Sequence, residues 1–141
     1  MPALKFPYLR LLADPAKDPI GRHSFARPMI PVRLIGPAGW IDTYALVDSG
    51  SDDTIFDHEL AAATGIEWQK GPSHEITGVD GGKLTVHFRG ASYEVGGHRF
   101  TADLGFAPMP PSIKVILGQS GFFEKAIVIL DQGNNRIEVK F

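Results

Sequence analysis

The chain contains no cysteine, and this absence removes several kinds of chemistry at once. Disulfide bridges, thiolate metal sites and cysteine nucleophiles are excluded, although the cellular compartment is left open. No apolar run approaches the roughly 18 residues that a membrane-spanning helix needs. An excess of basic charge is also missing, since 14 Lys and Arg stand against 16 Asp and Glu. We therefore expect no nucleic-acid partner and no membrane span.

What remains is the composition of an ordinary globular domain. Of the 141 residues, 43% are apolar and 21% are charged, and this length suits one domain with its own core. The apolar start of the chain includes Pro7 and Arg10, which makes it a poor signal peptide, so we expect a cytoplasmic protein. The five histidines show no metal-ligand spacing, and we expect neither a metal nor a cofactor.

Proline is concentrated near the start, where seven of the eleven prolines fall within the first 37 residues. Leu4–Leu12 is apolar enough for a strand, but Pro7 would confine it to a sheet edge. Asp14–Arg27 is typical of an extended arm or loop. We therefore predict an N-terminal arm over residues 1–28, whose role as propeptide, dimer strand or tether stays open, and a domain over residues 29–141.

Short apolar runs separated by turn residues fill the rest of the chain. The clearest helix is Asp57–Thr64, because Asp57 is a typical N-cap and Gly65 a typical stop. The predicted strands are Met29–Ile35, Trp40–Val47, His74–Val79, Lys83–Phe88, Ala91–Val95, His98–Phe106, Ile113–Leu117, Ala126–Leu130 and Arg136–Phe141. Many short strands with one or two short helices predict a mostly-β barrel or sandwich.

One segment, Ala45–Thr54 (ALVDSGSDDT), combines residue types that carry chemistry. An apolar strand ends at an acid, Asp48, where burial would stop. Ser49 and Gly50 follow at once, and the glycine allows the backbone to turn tightly. Taken alone, Asp-Ser-Gly is more typical of an ordinary turn than of a reactive site.

The whole segment, however, resembles the active-site signature of retroviral-type (retropepsin-like) aspartic proteases. Two further segments follow in the family's order. His74–Leu84 (HEITGVDGGKL) resembles the glycine-rich flap hairpin that closes over substrate. Val115–Gly118 (VILG) is similar to the apolar motif that packs beneath the active-site loop. The resemblance covers about residues 29–141.

This resemblance implies a small closed β-barrel of the acid protease type and an aspartic endopeptidase that hydrolyses protein or peptide substrates. Such enzymes use two carboxyl groups that lie close enough to share one proton. This chain carries one signature. The resemblance therefore implies a homodimer in which each protomer donates Asp48 at a twofold axis.

Other roles come from the resemblance in the same way. The active-site loop would comprise Ser49, Gly50 and Ser51, with Ser49 bonding across the axis and the Ser51 hydroxyl donating to the Asp48 carboxylate. The acids that resemble those lining the substrate groove are Asp52 and Asp53. The flap would consist of Ile76, Thr77, Gly78, Val79, Asp80, Gly81 and Gly82.

The sequence departs from the retroviral pattern in two places. Gln119 stands where the family has an arginine that pairs with the first groove acid, so that salt bridge is not expected. A longer hairpin, Ala126–Phe141, replaces the retroviral C-terminal strand. We therefore expect a dimer sheet that is built differently.

Two rival interpretations stay open. In the first interpretation, the chain is a non-catalytic peptide-binding or dimerisation module on the same fold, although the intact Asp48 argues against this. Alternatively, it is a small structural β-domain with a chance Asp-Ser-Gly, which a monomer in solution would favour.

Overall fold

Strands dominate the computed structural model, which describes residues 2–77 and 81–141. The strands are β1 Ala3–Phe6, β2 Leu9–Leu12, β3 Ser24–Arg27, β4 Met29–Gly36, β5 Gly39–Val47, β6 Ile55–Asp57, β7 Ser73–Thr77, β8 Lys83–Val95, β9 His98–Ala107, β10 Val115–Leu117, β11 Ile127–Asp131 and β12 Arg136–Lys140. The α-helix is α1 His58–Ala63, and 3₁₀ turns cover Trp68–Lys70, Phe123–Lys125 and Gln132–Asn134. The prediction of a mostly-β fold is confirmed.

Six strands form a ring. The hydrogen-bonded order is β4-β5-β10-β6-β9-β8, and β8 then pairs with β4 to complete the circle. The pairing of Arg33 with Glu94 is one of the contacts that close it. Strand β7 lies outside the ring and pairs with the first part of β8.

Aromatic side chains fill the inside of this ring. Phe56, Tyr93 and Phe100 are buried, and the Tyr93 ring stacks on Phe100 with their centroids 5.1 Å apart. The Tyr93 hydroxyl donates to the carbonyl of Gly121 at 2.7 Å, so the polar end of a buried ring is also satisfied. Each such side chain contributes about 1.5–3 kcal/mol through burial. These packed side chains therefore form a core that supports the strands of the ring around them.

The predicted helix is confirmed at both ends. The Asp57 carboxylate accepts from the backbone N–H of Glu59, as expected of an N-cap. Thr64 is the C-cap, and Gly65 follows with a φ of +78°. The other Asp57 oxygen accepts from the N–H of Met109, which fastens the start of α1 to the loop after β9.

Two strand predictions were wrong in their boundaries. Leu4–Leu12 is not one strand, because the chain breaks near Pro7 into β1 and β2. The predicted break between Phe88 and Ala91 is absent, since Arg89 and Gly90 stay paired with β9. Strand β8 is therefore continuous over 13 residues.

The two ends of the chain meet in a separate sheet of three strands, ordered β1-β12-β11. Ala3 pairs with Lys140 and Phe6 with Ile137, antiparallel. Strands β2 and β3 form a hairpin of their own, so part of the predicted loop Asp14–Arg27 is a strand. The N-terminal segment is thus tied to the last strand of the chain.

Candidate active site

Asp48 is positioned by the buried end of strand β5. The preceding residue, Val47, is buried, and the Asp48 N–H donates to the carbonyl of Leu117 at 3.0 Å. One carboxylate oxygen of Asp48 accepts from the N–H of Gly50 at 2.9 Å. A Cβ at Gly50 would lie 3.2 Å from that same oxygen, so glycine keeps the space beside the carboxylate open. The turn thus holds the carboxylate in one orientation at the protein surface.

Thr54 fastens the loop from below. It is 1% exposed, and its hydroxyl donates to the carbonyl of Ser120 at 2.8 Å. The Thr54 hydroxyl oxygen also accepts from the N–H of Gly118 at 3.1 Å. The Thr54 carbonyl accepts from the N–H of Gly105 at 2.8 Å. One buried residue therefore joins the loop to two distant segments of the chain.

Gly118 allows its backbone to contact the active-site loop closely. A Cβ there would lie 2.2 Å from the carbonyl oxygen of Asp53 and 2.7 Å from that of Ser51. These neighbours are backbone atoms, which cannot move aside as a flexible side chain does. The expected packing of Val115–Gly118 against the loop agrees with this geometry.

Gln119 makes neutral hydrogen bonds to the active-site loop. Its side-chain amide donates to the carbonyl of Ser49 at 2.7 Å, and its backbone N–H donates to the carbonyl of Ser51 at 2.8 Å. The next N–H, of Ser120, donates to the carbonyl of Asp52 at 2.9 Å. The local sequence pattern predicts the absence of the ion pair but does not predict these hydrogen bonds.

The expected bond from Ser51 to the Asp48 carboxylate is not formed. The Ser51 hydroxyl donates instead to the carbonyl of Asp53 at 2.8 Å. A hydroxyl has one proton to donate, so this bond uses it. The Ser51 side chain shapes the loop rather than bonding to the carboxylate.

A groove of about 520 Å³ opens above this loop. It brings together the loop, apolar side chains of the ring and strand β7 of the predicted flap. Its lining residues are Asp48, Gly50, Ser51, Asp52, Asp53, Ile55, His74, Glu75, Ile76, Thr77, Leu84, Met109 and Ile116. Of the predicted flap residues, Ile76 and Thr77 line the groove, whereas Gly78, Val79 and Asp80 lie outside the described residues.

Acidic groups give the groove its charge. Burial raises the pKa of Asp53 above its usual range, and the neighbouring charge of Asp52 raises it further. His74, from β7, acts in the opposite direction on the same pKa. The groove thus combines carboxyl groups in its loop with an apolar wall.

The β7–β8 hairpin packs more lightly than the loop. Ile76 and Leu84 are partly buried and pack against Val86 and Ile55, whereas most of β7 is exposed. Gly81 has a φ of +82°, and no described atom lies within 4 Å of its Cβ position. Open space and a glycine-dependent backbone are what a movable hairpin requires.

Within residues 2–77 and 81–141, no group of three His, Asp or Glu side chains is arranged to hold a metal ion. No described helix is both long enough and apolar enough to cross a membrane.

Comparison with known protein families gives a match over most of the chain. Residues 31–120 match the model of a family described as aspartyl protease. That range is more than half of the chain and includes Asp48, strand β7 and Gly118. A search of curated proteins finds no match.

Proposed function

The chain belongs to an aspartyl protease family of retropepsin-like type, and we propose that it hydrolyses peptide bonds as a homodimer with Asp48 of each protomer in one shared site. The observation that carries this proposal is the position of the Asp48 carboxylate. It follows a strand whose last residue, Val47, is buried, it is held in a fixed orientation, and it faces a groove of about 520 Å³. The supporting loop is held by buried hydrogen bonds, which suits a group that must not move during reaction.

Two carboxyl groups perform the reaction in this proposal. The ionised carboxyl of one protomer accepts a proton from a water molecule, and that water attacks the carbonyl carbon of the substrate. The protonated carboxyl of the other protomer donates a hydrogen bond to the carbonyl oxygen. The C–N bond then breaks, and the carboxyl that accepted the proton of water donates a proton to the departing amine. Two close carboxyl groups suit this division of labour, because they do not readily ionise together.

The surrounding residues have supporting roles in the proposal. Gly50 keeps space beside the carboxylate, and the exposed Ser49 hydroxyl bonds across the twofold axis. Asp52 and Asp53 contact bound peptide, and the β7–β8 hairpin closes over it as a flap that includes Gly81 and Gly82.

We also infer that the ring of six strands is the closed barrel of this protease type. Residues 29–141 then form the protease domain, and residues 1–28 are an arm added to it. The pairing of β1 with β12 supports a lasting attachment of the arm to the domain.

The most direct experiment replaces the carboxylate with an amide of the same shape. Asp48→Asn should abolish cleavage of casein and of a peptide library while leaving the unfolding midpoint and the oligomeric state unchanged. The matched control is Asp103→Asn, at an exposed position of β9 away from the groove. Wild-type turnover in purified Asp48→Asn would refute the assignment. Peptide binding without cleavage by the wild type would favour a non-catalytic binding module.

A pH profile tests the shared proton. The proposed pair works when it holds one proton, so kcat/KM should fall on both sides of an optimum below neutral pH. A flat profile from acid to alkaline pH would contradict this mechanism.

A further inference from the structure

Strands β2 and β3 form a two-stranded ribbon that lies outside the core. In the part of the chain that the structure describes, these strands pair with each other and with no other strand. No apolar side chain between Leu9 and Arg27 is among those that pack against the core. The base of the ribbon is the pair Leu9 and Arg27, and its far end is the pair Leu12 and Ser24, about 10 Å further on. The ribbon therefore does not serve to fill the core.

The far end of the ribbon carries the two most exposed large apolar side chains of the described residues. Leu12 is 91% exposed at the end of β2, and Ile20 is 76% exposed in the turn between β2 and β3. The N–H of Ala13 donates to the carbonyl of His23 at 2.8 Å, so the two sides of the ribbon stay together beyond Leu12. Both apolar side chains are thus presented to water at one end of the ribbon, where a partner that covers them is favoured.

The turn is ordered by its own acids. The Asp14 carboxylate accepts from the N–H of Ala16 at 3.0 Å. The Asp18 carboxylate accepts from the N–H groups of Ile20 and Arg22, at 3.0 and 2.8 Å, and pairs with the Arg22 guanidinium at 3.0 Å. Hydrogen bonds from Arg22 lower the pKa of Asp18 to about 2. Both acids of the ribbon are therefore engaged within the turn.

The other cations of the ribbon have no such acidic partner. Arg10, Lys17 and Arg27 are exposed, and none of them forms an ion pair within residues 2–77 and 81–141. Residues 9–27 contain four Arg and Lys against two Asp, whereas the whole chain has 14 against 16. The ribbon is therefore a positively charged element with an apolar end, on a protein that is otherwise acidic.

We propose that the far end of the β2–β3 ribbon binds the surface of a membrane that contains anionic lipids. In this arrangement Leu12 and Ile20 enter the boundary between headgroups and acyl chains, and the cations contact the anionic headgroups. Binding of this kind grows with the apolar area buried and with the attraction between basic residues and the anionic surface. The acidic remainder of the protein is repelled by the same surface, which favours contact through the ribbon. The proposed protease activity is not required for this binding.

Vesicle flotation tests the apolar contact. The wild type should bind vesicles of equal parts phosphatidylserine and phosphatidylcholine more tightly than vesicles of phosphatidylcholine alone. Leu12→Ser/Ile20→Ser should lower the partition coefficient at least about tenfold. The matched control is Trp40→Ser/Tyr44→Ser on β5, at positions that are 59% and 47% exposed, and it should bind as the wild type does. Equal losses in the two variants, or a wild type that does not bind, would overturn the proposal.

Charge is tested separately from apolar contact. Arg10→Gln/Lys17→Gln should lower binding to the phosphatidylserine vesicles about fivefold for each cation removed. Lys5→Gln/Lys140→Gln changes the net charge equally, at positions outside the ribbon, and should have a smaller effect. Added salt should weaken binding of the wild type. An equal loss in both charge variants would show that net charge, rather than the ribbon, determines binding, and would overturn the proposal.

A second copy of the chain is the alternative partner. Sedimentation of the protein without vesicles, with circular dichroism as a check of folding, compares the wild type with Leu12→Ser/Ile20→Ser. The proposal predicts the same oligomeric state for both. If the variant changes the oligomeric state and binds vesicles as the wild type does, the ribbon binds another copy and the proposal is wrong.

A fluorescent label locates the contact without removing the cations. The natural chain has no cysteine, so Ile20→Cys can be labelled at one position with a dye whose emission depends on polarity. Its emission should shift to the blue when phosphatidylserine vesicles are added. The same dye on Asp103→Cys, at an exposed position of β9, should show no shift. A shift at position 103 and none at position 20 would contradict the proposal.

Discussion

The two sides of the groove are built in contrasting ways. The floor, comprising the loop Asp48–Thr54 and the segment Gly118–Gly121, is held by hydrogen bonds between residues far apart in sequence. The hairpin, formed by β7 and the first residues of β8, is exposed along most of β7 and held by local strand pairing. The contrast matches the needs of the proposed chemistry. A reacting carboxylate has to stay in place, whereas a covering segment has to open and close.

The contrast also appears in how each side uses glycine. In the floor, Gly118 is required because backbone oxygens occupy the place of a side chain. In the hairpin, Gly81 is required by its positive φ, while no atom of the described residues approaches its Cβ position within 4 Å. Substitution by alanine should therefore damage the two sides through different physical causes and by different amounts.

Gly118→Ala should have the largest effect. The new methyl group would overlap the carbonyl of Asp53, so the floor has to shift. We expect a loss of at least about 3 kcal/mol in the free energy of unfolding and loss of peptide cleavage. Urea denaturation measures the first, with Gly133→Ala as a control at a glycine that has open space around it. Equal midpoints for the two variants would show that the floor is not tightly packed.

Thr54→Val should have the second-largest effect on stability. Valine keeps the shape but removes the bond to Ser120 and leaves the buried N–H of Gly118 without its acceptor. The expected loss is about 2–4 kcal/mol in the free energy of unfolding. The same substitution on the hairpin, at the exposed Thr85, should change stability by less than about 0.5 kcal/mol. A comparable loss at both positions would remove the distinction between floor and hairpin.

Gly81→Ala should cost less stability than either change in the floor, and it should affect activity more than stability. Alanine at a φ of +82° is strained by about 1–2 kcal/mol, and the strain falls on a locally held hairpin. We expect kcat/KM for peptide cleavage to fall several-fold with little change in the unfolding midpoint. Gly97→Ala introduces the same strain at a φ of +83° in the β8–β9 turn, away from the groove. If both variants cleave peptide as the wild type does, the hairpin does not act as a flap.

Asp53→Asn should have the smallest effect, and its sign depends on pH. Burial and the charge of Asp52 raise the pKa of Asp53, so its ionised form costs stability in the folded protein. The folded wild type therefore loses stability as pH rises through the raised pKa of Asp53. The variant should therefore be more stable than the wild type near neutral pH.

The gain in Asp53→Asn should vanish below about pH 3.8, the ordinary pKa of an aspartate, because Asp53 is then protonated in both states. Denaturant titrations at acid and neutral pH measure the difference. A gain that persists at acid pH would show that charge is not its cause.

Local signals account for what the sequence predicted correctly. Helix α1 was found from the cap residues Asp57 and Gly65, whose preferences are local. The Gly96-Gly97 turn between β8 and β9 has a local signal of the same kind, since both glycines have positive φ. The end of strand β5 directly before Asp48 was also predicted, because the apolar run that leads into this acid is visible in the sequence itself.

What the sequence did not reveal depends on contacts between distant residues. Closure of the ring by Arg33 and Glu94 joins positions far apart, and no periodicity encodes that pairing. The bond from Gln119 to the Ser49 carbonyl is likewise set by how the segments pack. The Ser51 prediction failed for a related reason, because the turn directs its hydroxyl to the Asp53 carbonyl.

The central claim is that each site needs one Asp48 from each of two protomers, and mixed dimers test it most directly. Wild type and Asp48→Asn are unfolded together and refolded at a fixed total concentration in varied ratios. If both carboxylates are required, peptide cleavage should follow the square of the wild-type fraction, so an equal mixture retains about a quarter of the full activity. Activity that falls in direct proportion to the wild-type fraction, to about half in the equal mixture, would contradict the shared site.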